Sequence, residues 1–234
     1  MGRQRVASQA SAGQDSARSS RGVNFGDLGR TTPFSEKWGF DRGHPIDRYF
    51  IEKFLSRHSN DIAGHVLEIK DNTYTVRFGG PGIISDVLDI SSDNTRATIV
   101  ADLTDAVHVE GDRFDCIIIT QTLQFIYDVK GAISTLHRLL KGGGVLLLTV
   151  PAISPDFLSE HEGRFYWAMF PAAVQSLLVE YFESKNLLVE GHGNMLTSIA
   201  FLSGLAQNDL YASDFTLHDP HFPLIVTARA VKSK

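Results

Sequence analysis

Between His65 and Val150 the chain carries five short apolar runs, HVLEI, IISDVLDI, ATIVAD, FDCIIIT and GGVLLLTV, set apart by polar and glycine-containing stretches. Runs this short and this continuous suit strands buried on both faces, because a sheet with one wet face alternates apolar with polar residues. Such strands need helices above and below them, and parallel neighbours are joined by right-handed crossovers. The helical patterns lie where that rule needs them. PIDRYFIEKFLSRH precedes the first run, with Pro45 at a helix start and Ile46, Tyr49, Phe50, Phe54 and Leu55 at three- and four-residue spacing. VKGAISTLHRLLKGGG leads into the fifth, with Ile133, Leu136, Leu139 and Leu140 on one face and a glycine stop at Gly142. PAAVQSLLVEYFESK then starts near Pro171 and turns Val174, Leu177, Leu178, Tyr181 and Phe182 inward, while NLLVEGHGN and LIVTARAV supply late strands. The pattern predicts an α/β fold with an open, doubly wound, mostly parallel sheet.

Composition sets the outer limits. At 234 residues, 43% hydrophobic and 21% charged, the chain has the balance of one globular domain, placed at residues 33–234. Residues 1–32, rich in Ser, Ala, Gly, Gln and Arg and without periodicity, are expected to form a flexible tail. A net charge of -5 and a pI near 6.0 argue against nucleic acid as the main partner and for a small-molecule acceptor such as a sugar. Cys116 is the single cysteine, which excludes an internal disulfide and an all-cysteine metal site and suits a cytoplasmic setting. The tail lacks the apolar core of a signal peptide, and no apolar run approaches the roughly 20 residues of a membrane span, so neither export nor membrane insertion is expected.

In an open sheet of this kind a ligand lies beyond the carboxyl ends of the strands, where strand order reverses. Three of those ends are acidic: Glu68 after the first run, Asp89 after the second, Asp102 after the third. A carboxylate there can accept hydrogen bonds from ribose hydroxyls or an adenine amino group, although Asp and Glu also close strands as turn formers and helix caps.

The segments PFSEKWGFDRGHPIDRYFIEKFL, VLEIKDNTYTVRFGG, SDVLDI, ATIVADLTDA, FDCIIITQTLQFIYDV and LHRLLKGGGVLLLTVP together resemble the class I S-adenosylmethionine-dependent methyltransferases. The likeness runs from about Pro33 to Lys232 and is to a small bacterial branch often found beside glycosyltransferases or in glycan and secondary-metabolite clusters. It implies a Rossmann-like, seven-stranded sheet with one antiparallel strand near the carboxyl end, and S-adenosylmethionine as cofactor. It places Glu68 near the methionyl and ribose end of the cofactor, Asp89 on the ribose hydroxyls, Asp102 and Leu103 beside adenine, and Thr120 and Gln121 along the approach to the methyl group. Tyr49 and the segment from Asp41 to Pro45 fall on a covering lid, and a neighbouring glycosyltransferase is an implied partner.

The usual family pattern follows the first acidic residue with a G-x-G turn, since glycine lets backbone approach the cofactor. Here Lys70 and Asn72 occupy those places, and only about a dozen residues separate the first two runs, so the first crossover is shortened to a turn or two of helix. Two readings of Lys70 follow. It pairs with the cofactor's carboxylate while Asn72 and Thr73 donate hydrogen bonds, or it bridges to Glu68 or Asp89 and fills the pocket, leaving a repurposed binding or scaffold fold. A further reading keeps the cofactor pocket and uses it for a non-methylating reaction.

Transfer to a sugar hydroxyl also needs a proton acceptor. His161, in SPDFLSEHEGRFYWAMF, and Tyr166 are the candidates, with Trp167 and Phe170 able to stack on a sugar ring; related sequences resemble Y-W-R-F-T where this chain reads YWAMFP. His218 and His221, brought together with Asp219 in HDPHF, form a possible metal pair without a matching third ligand, so no metal site is expected. Cys116 sits inside an apolar run and is expected to be inert.

Overall fold

Each apolar run becomes a strand. The computed structural model describes residues 26–157 and 164–234, within which β1 (His65–Ile69), β2 (Ile84–Asp89), β3 (Ile99–Val100), β4 (Phe114–Thr120), β5 (Leu140–Pro151), β6 (Leu187–His192) and β7 (Ile225–Val231) form one seven-stranded sheet. The order is β3-β2-β1-β4-β5-β7-β6, with β7 antiparallel to β5 and β6 and the first five strands parallel. The expected tail falls mainly on residues 1–25, outside the described residues. Among the described residues no helix is long and apolar enough to cross a membrane.

Helices α1 (Ile46–Arg57), α2 (Thr73–Phe78), α3 (Val129–Leu139), α4 (Pro171–Leu178) and α5 (Met195–Leu202) sandwich the sheet. α3 and α4 cover one face, where Ile133, Leu136, Val174 and Leu178 meet Phe114, Ile117 and Ile119 of β4. α1, α2 and α5 cover the other, where Ile46, Phe54 and Phe201 meet Cys116 and Ile118. The alternation along β4 is the two-residue period of a strand, and a register shift between Phe114 and Cys116 puts Phe114 on the same face as Ile117. Ile117, Ile118 and Ile119 are each fully buried, at about 1.5–3 kcal/mol apiece, so the strands ending at the crevice are anchored in a rigid centre.

Two helix ends differ from the sequence expectation. α3 stops at Leu139, ahead of Gly142, because Asp112 and Arg113 donate their backbone N–H groups to Arg138 and Leu139 and satisfy the last carbonyls, letting Leu140 pair with Phe114 in β5. α4 stops at Leu178, although Phe182 is buried and Leu177 and Tyr181 pack against the same core. The helix α5 has no counterpart in the sequence reading; Asn194 and Thr197 cap it reciprocally.

The segment ahead of α1 crosses to the far end of the chain. Phe34 donates its N–H to Ser203 at 2.7 Å, Arg42 forks onto Asp209 at 2.7 and 3.0 Å, and Gly204 at a φ of 73° leaves no room for a Cβ beside Ser35. The Trp38 ring meets Phe157 edge-on at 5.3 Å, and its indole N–H donates to the Pro155 carbonyl at 3.3 Å, which carries the segment to the loop after β5.

Candidate functional site

The pairing of β1 with β4 ends at Glu68 and Ile118, while β1 continues one residue further with β2 and β4 two residues further with β5. Lys70 donates its N–H to Leu88 of β2, and Gln121 donates its N–H to Thr149 of β5, both at 2.9 Å. The chain therefore splays between β1 and β4, which is where the strand order reverses and where an open α/β sheet forms its crevice. Lys70 has a φ of 76° and Gln121 one of 48°, so a left-handed, non-glycine residue flanks each side of the opening. Side chains in that region cost about 1–2 kcal/mol each, and such outliers gather at functional sites.

The three acidic strand ends do not stand in equal positions. Glu68 is buried, at 4% exposure, and turned under α2: its Oε1 accepts the Tyr74 N–H at 3.1 Å, and its Oε2 accepts the N–H and the hydroxyl of Thr75, both at 2.7 Å. Burial pushes its carboxyl up to about 7 against the opposing pull of those donors, with Asp71 adding to the rise. Glu68 thus serves as the cap of α2, whose own Asn72 makes no side-chain cap bond.

Asp89 is half-buried at the end of β2, with Oδ1 accepting the Ser91 N–H at 3.0 Å and Oδ2 accepting from Asn94 at 2.6 Å. Asp102 is exposed and uses Oδ1 alone, for the N–H and hydroxyl of Thr104 at 2.8 Å, with Leu103 buried behind it. Both carboxylates keep lone pairs for a further donor.

In the glycine-poor turn, Lys70 is exposed and makes no ion pair with Glu68 or Asp89 among the described residues. Asn72 donates to Ser85 at 3.3 Å, four residues before the end of β2, and the Thr73 N–H is taken by Asp71 at 2.8 Å. α2 is a single short helix of six residues, as the spacing predicts. Lys70→Gly is expected to raise stability by about 0.5–1 kcal/mol, the relief of the left-handed backbone less the entropy of glycine, read as a rise of roughly 2 °C in melting temperature.

On the β4 side, Thr120 and Gln121 line the strand end, and Gln124 is buried at 3% exposure with its Nε2 donating to Gln121 Oε1 at 3.1 Å. The Gln124 Oε1 meets no donor among the described residues, a buried acceptor left for something else to satisfy. The backbone carbonyl of Gln124 accepts the N–H groups of Tyr166 at 2.8 Å and Trp167 at 3.3 Å, which clamps the segment after β5 onto the crevice wall. There Tyr127 lies 5.4 Å from the Tyr166 ring and stacks on Trp167 at 5.9 Å, and all three are exposed. Tyr49 lies in α1 with its ring 4.5 Å from Phe215, part of the second core. The Asp41 to Pro45 segment is pinned toward Ala206 and Asp209 by Arg42 and a β-bridge from Pro45.

His161 lies outside the described residues. His221 pairs with Asp219 at 3.0 Å, and among the described residues no three His, Cys, Asp or Glu side chains gather as metal ligands. Burial holds the Cys116 thiol well above its ordinary range. Asn94, Gln124 and Tyr127 were not singled out from sequence; Asn94 sits in a run of turn formers, SSDN, that carries no periodic signal.

Comparison with known proteins agrees with this geometry. No curated protein matches the chain. Among solved structures, a SAM dependent methyltransferase from Archaeoglobus fulgidus is 14% identical with a TM-score of 0.53, covering 79% of this chain and 94% of that one. An S-adenosylmethionine dependent methyltransferase from Mesorhizobium loti is likewise 14% identical, with a TM-score of 0.50 over 80% of this chain and 98% of its own. Phosphoethanolamine N-methyltransferase 2 of Haemonchus contortus, in complex with S-adenosyl-L-methionine, is 16% identical with a TM-score of 0.50, covering 86% of this chain and 60% of that one. At these identities the likeness is one of fold. A family profile described as "Methyltransferase domain" matches residues 29–199, and on that match, which takes in the crevice and every strand that builds it, the chain belongs to the methyltransferase domain family.

Proposed function

We propose that the chain binds S-adenosylmethionine in the crevice between β1 and β4 and transfers its methyl group to an oxygen of a small acceptor, a sugar or glycan-pathway intermediate. The observation that carries this reading is the crevice itself: two left-handed, non-glycine backbones face each other across the splayed strands, with the half-open carboxylates of Asp89 and Asp102 beyond them. The donor set suits the cofactor, since Asp89 can accept from the ribose hydroxyls, Asp102 from the adenine amino group with Leu103 behind the ring, and the exposed Lys70 can meet the methionyl carboxylate. S-adenosylmethionine carries no phosphate, so a glycine-rich phosphate cradle is dispensable.

When bound, the cofactor supplies a methyl group on a sulfonium, the electrophile of an in-line displacement. The chain's part is then to align the acceptor, exclude water and take up the hydroxyl proton. Gln121, oriented by the buried Gln124 amide, stands at the β4 wall to hold a hydroxyl donor. Tyr127, Tyr166 and Trp167 form an aromatic shelf beside them on which the apolar face of a sugar can stack. Tyr166 and His161 remain the residues proposed to receive the proton.

Calorimetric titration with S-adenosylmethionine and S-adenosylhomocysteine tests the reading; saturable one-to-one binding supports it and no heat with either ligand sinks it. Lys70→Gly, expected above to stabilise the fold, should at the same time weaken binding several-fold, whereas tighter binding would mean that Lys70 fills the site. Replacing Tyr127 and Trp167 together by alanine should raise KM for a sugar acceptor about tenfold while the affinity for S-adenosylhomocysteine stays within about twofold.

A further inference from the structure

We infer that Asn94 is a positioning residue of the cofactor site, replacing with one side-chain amide the organising role that glycine backbone has in a G-x-G turn; the inference rests on the cofactor reading above. Asn94 lies in the loop after β2, where its Oδ1 accepts the Arg96 N–H at 3.0 Å and its carbonyl accepts the Ala97 N–H at 3.0 Å. Because a backbone N–H can only donate, the amide is held with its oxygen toward the loop and its NH2 group away from it. That NH2 group has two hydrogens and uses both: one goes to the Lys70 carbonyl at 2.7 Å, the other to Asp89 Oδ2 at 2.6 Å.

One side chain therefore joins the two parts of the crevice that the cofactor reading needs most. The bond to the Lys70 carbonyl holds the peptide of a residue at a φ of 76°, a conformation that glycine takes freely and lysine does not. The bond to Asp89, with the Ser91 N–H on the other oxygen, fixes the rotation of the carboxylate and takes one lone pair from each oxygen. What remains is an acceptor position on each oxygen, the arrangement that two neighbouring ribose hydroxyls require. Loss of Asn94 frees both the turn and the carboxylate at once.

The test is a double-mutant cycle read by calorimetry with S-adenosylhomocysteine, on the wild-type chain, Asn94→Ala, Asp89→Ala and the double variant. Asn94→Ala is expected to weaken binding about tenfold in the wild-type background and only about threefold once Asp89 is already alanine, the remainder being its hold on the Lys70 turn. Asn94→Asp, of the same shape, should cost more, about a hundredfold, because it removes both donors and sets a second carboxylate against Asp89. The cycle separates positioning from a general loosening of the loop, which would weaken binding equally in both backgrounds and overturn the inference. Unchanged affinity in Asn94→Ala overturns it as well. If the wild-type chain does not bind S-adenosylhomocysteine, the cofactor reading fails and the inference with it; if the wild-type binds and the Asn94 variants match it, the inference alone fails.

Discussion

Asp89→Ala is expected to weaken S-adenosylhomocysteine binding by about 30- to 1000-fold with little change in melting temperature. Two charge-assisted hydrogen bonds to neighbouring ribose hydroxyls would be lost together, and at about 1–2 kcal/mol net for each the sum is about 2–4 kcal/mol. The carboxylate is only half-buried and its protein partners are the Ser91 N–H and the Asn94 amide, both of which can turn to water, so the folded state loses little. Calorimetry against the wild-type chain reads the first effect and a thermal melt the second. Asp102→Ala supplies the comparison, with an expected loss of tenfold or less because that carboxylate is exposed and solvent competes for its bonds. Equal losses for the two residues would put the ribose elsewhere.

The second large effect is on stability. Glu68→Ala should lower the melting temperature by about 6–12 °C, since it leaves two N–H groups and a hydroxyl at the start of α2 without their acceptor, at about 3 kcal/mol in a chain of this length. The same residue predicts an unusual pH dependence. Its carboxyl rises from 4.5 to about 7 on folding, so the folded chain holds the proton more tightly than the unfolded one. The stabilisation is fully present below pH 4.5 and is lost as pH rises through about 7, a loss of about 3 kcal/mol from this one group across that window. Denaturant melts between pH 4.5 and 8 should show that decline in the wild-type chain and a flatter profile in Glu68→Gln, which keeps one acceptor and cannot ionise. A wild-type profile that rises through the window would mean that the donors of α2 outweigh burial.

Much of the scaffold was legible because it depends on local periodicity. The runs from HVLEI to GGVLLLTV became β1 to β5, most fully at β1, β4 and β5, whose centres are buried on both faces and so apolar, and less so at the outer β2 and β3; the shortened crossover followed from counting residues between β1 and β2. The helix α5 was not legible: MLTSIAFL is apolar around most of its circumference, so it carries no clear amphipathic stripe, and its capping pair, Asn194 with Thr197, has threonine where the usual capping box has Glu or Gln. The stop of α3 was misplaced for a related reason, since the groups that satisfy its last carbonyls come from Asp112 and Arg113, more than twenty residues earlier in the chain.

The site divides along the same line. Acidic residues at three strand ends could be read directly, because strand ends are local features; which of them turns toward ligand could not. Glu68 is drawn under α2 by unsatisfied helix N–H groups, while Asp89 and Asp102 keep open oxygens because their partners are single turn residues and one amide. The tie from Asn94 to Lys70 spans 24 positions, and the shelf of Tyr127 and Trp167 spans 40. Sequence by itself determined the layers and the strands, since burial leaves a periodic mark on every residue it touches. Only the tertiary structure decided which polar groups are spent inside the protein and which remain for a ligand, because a hydrogen bond between distant segments leaves no periodic mark in either of them.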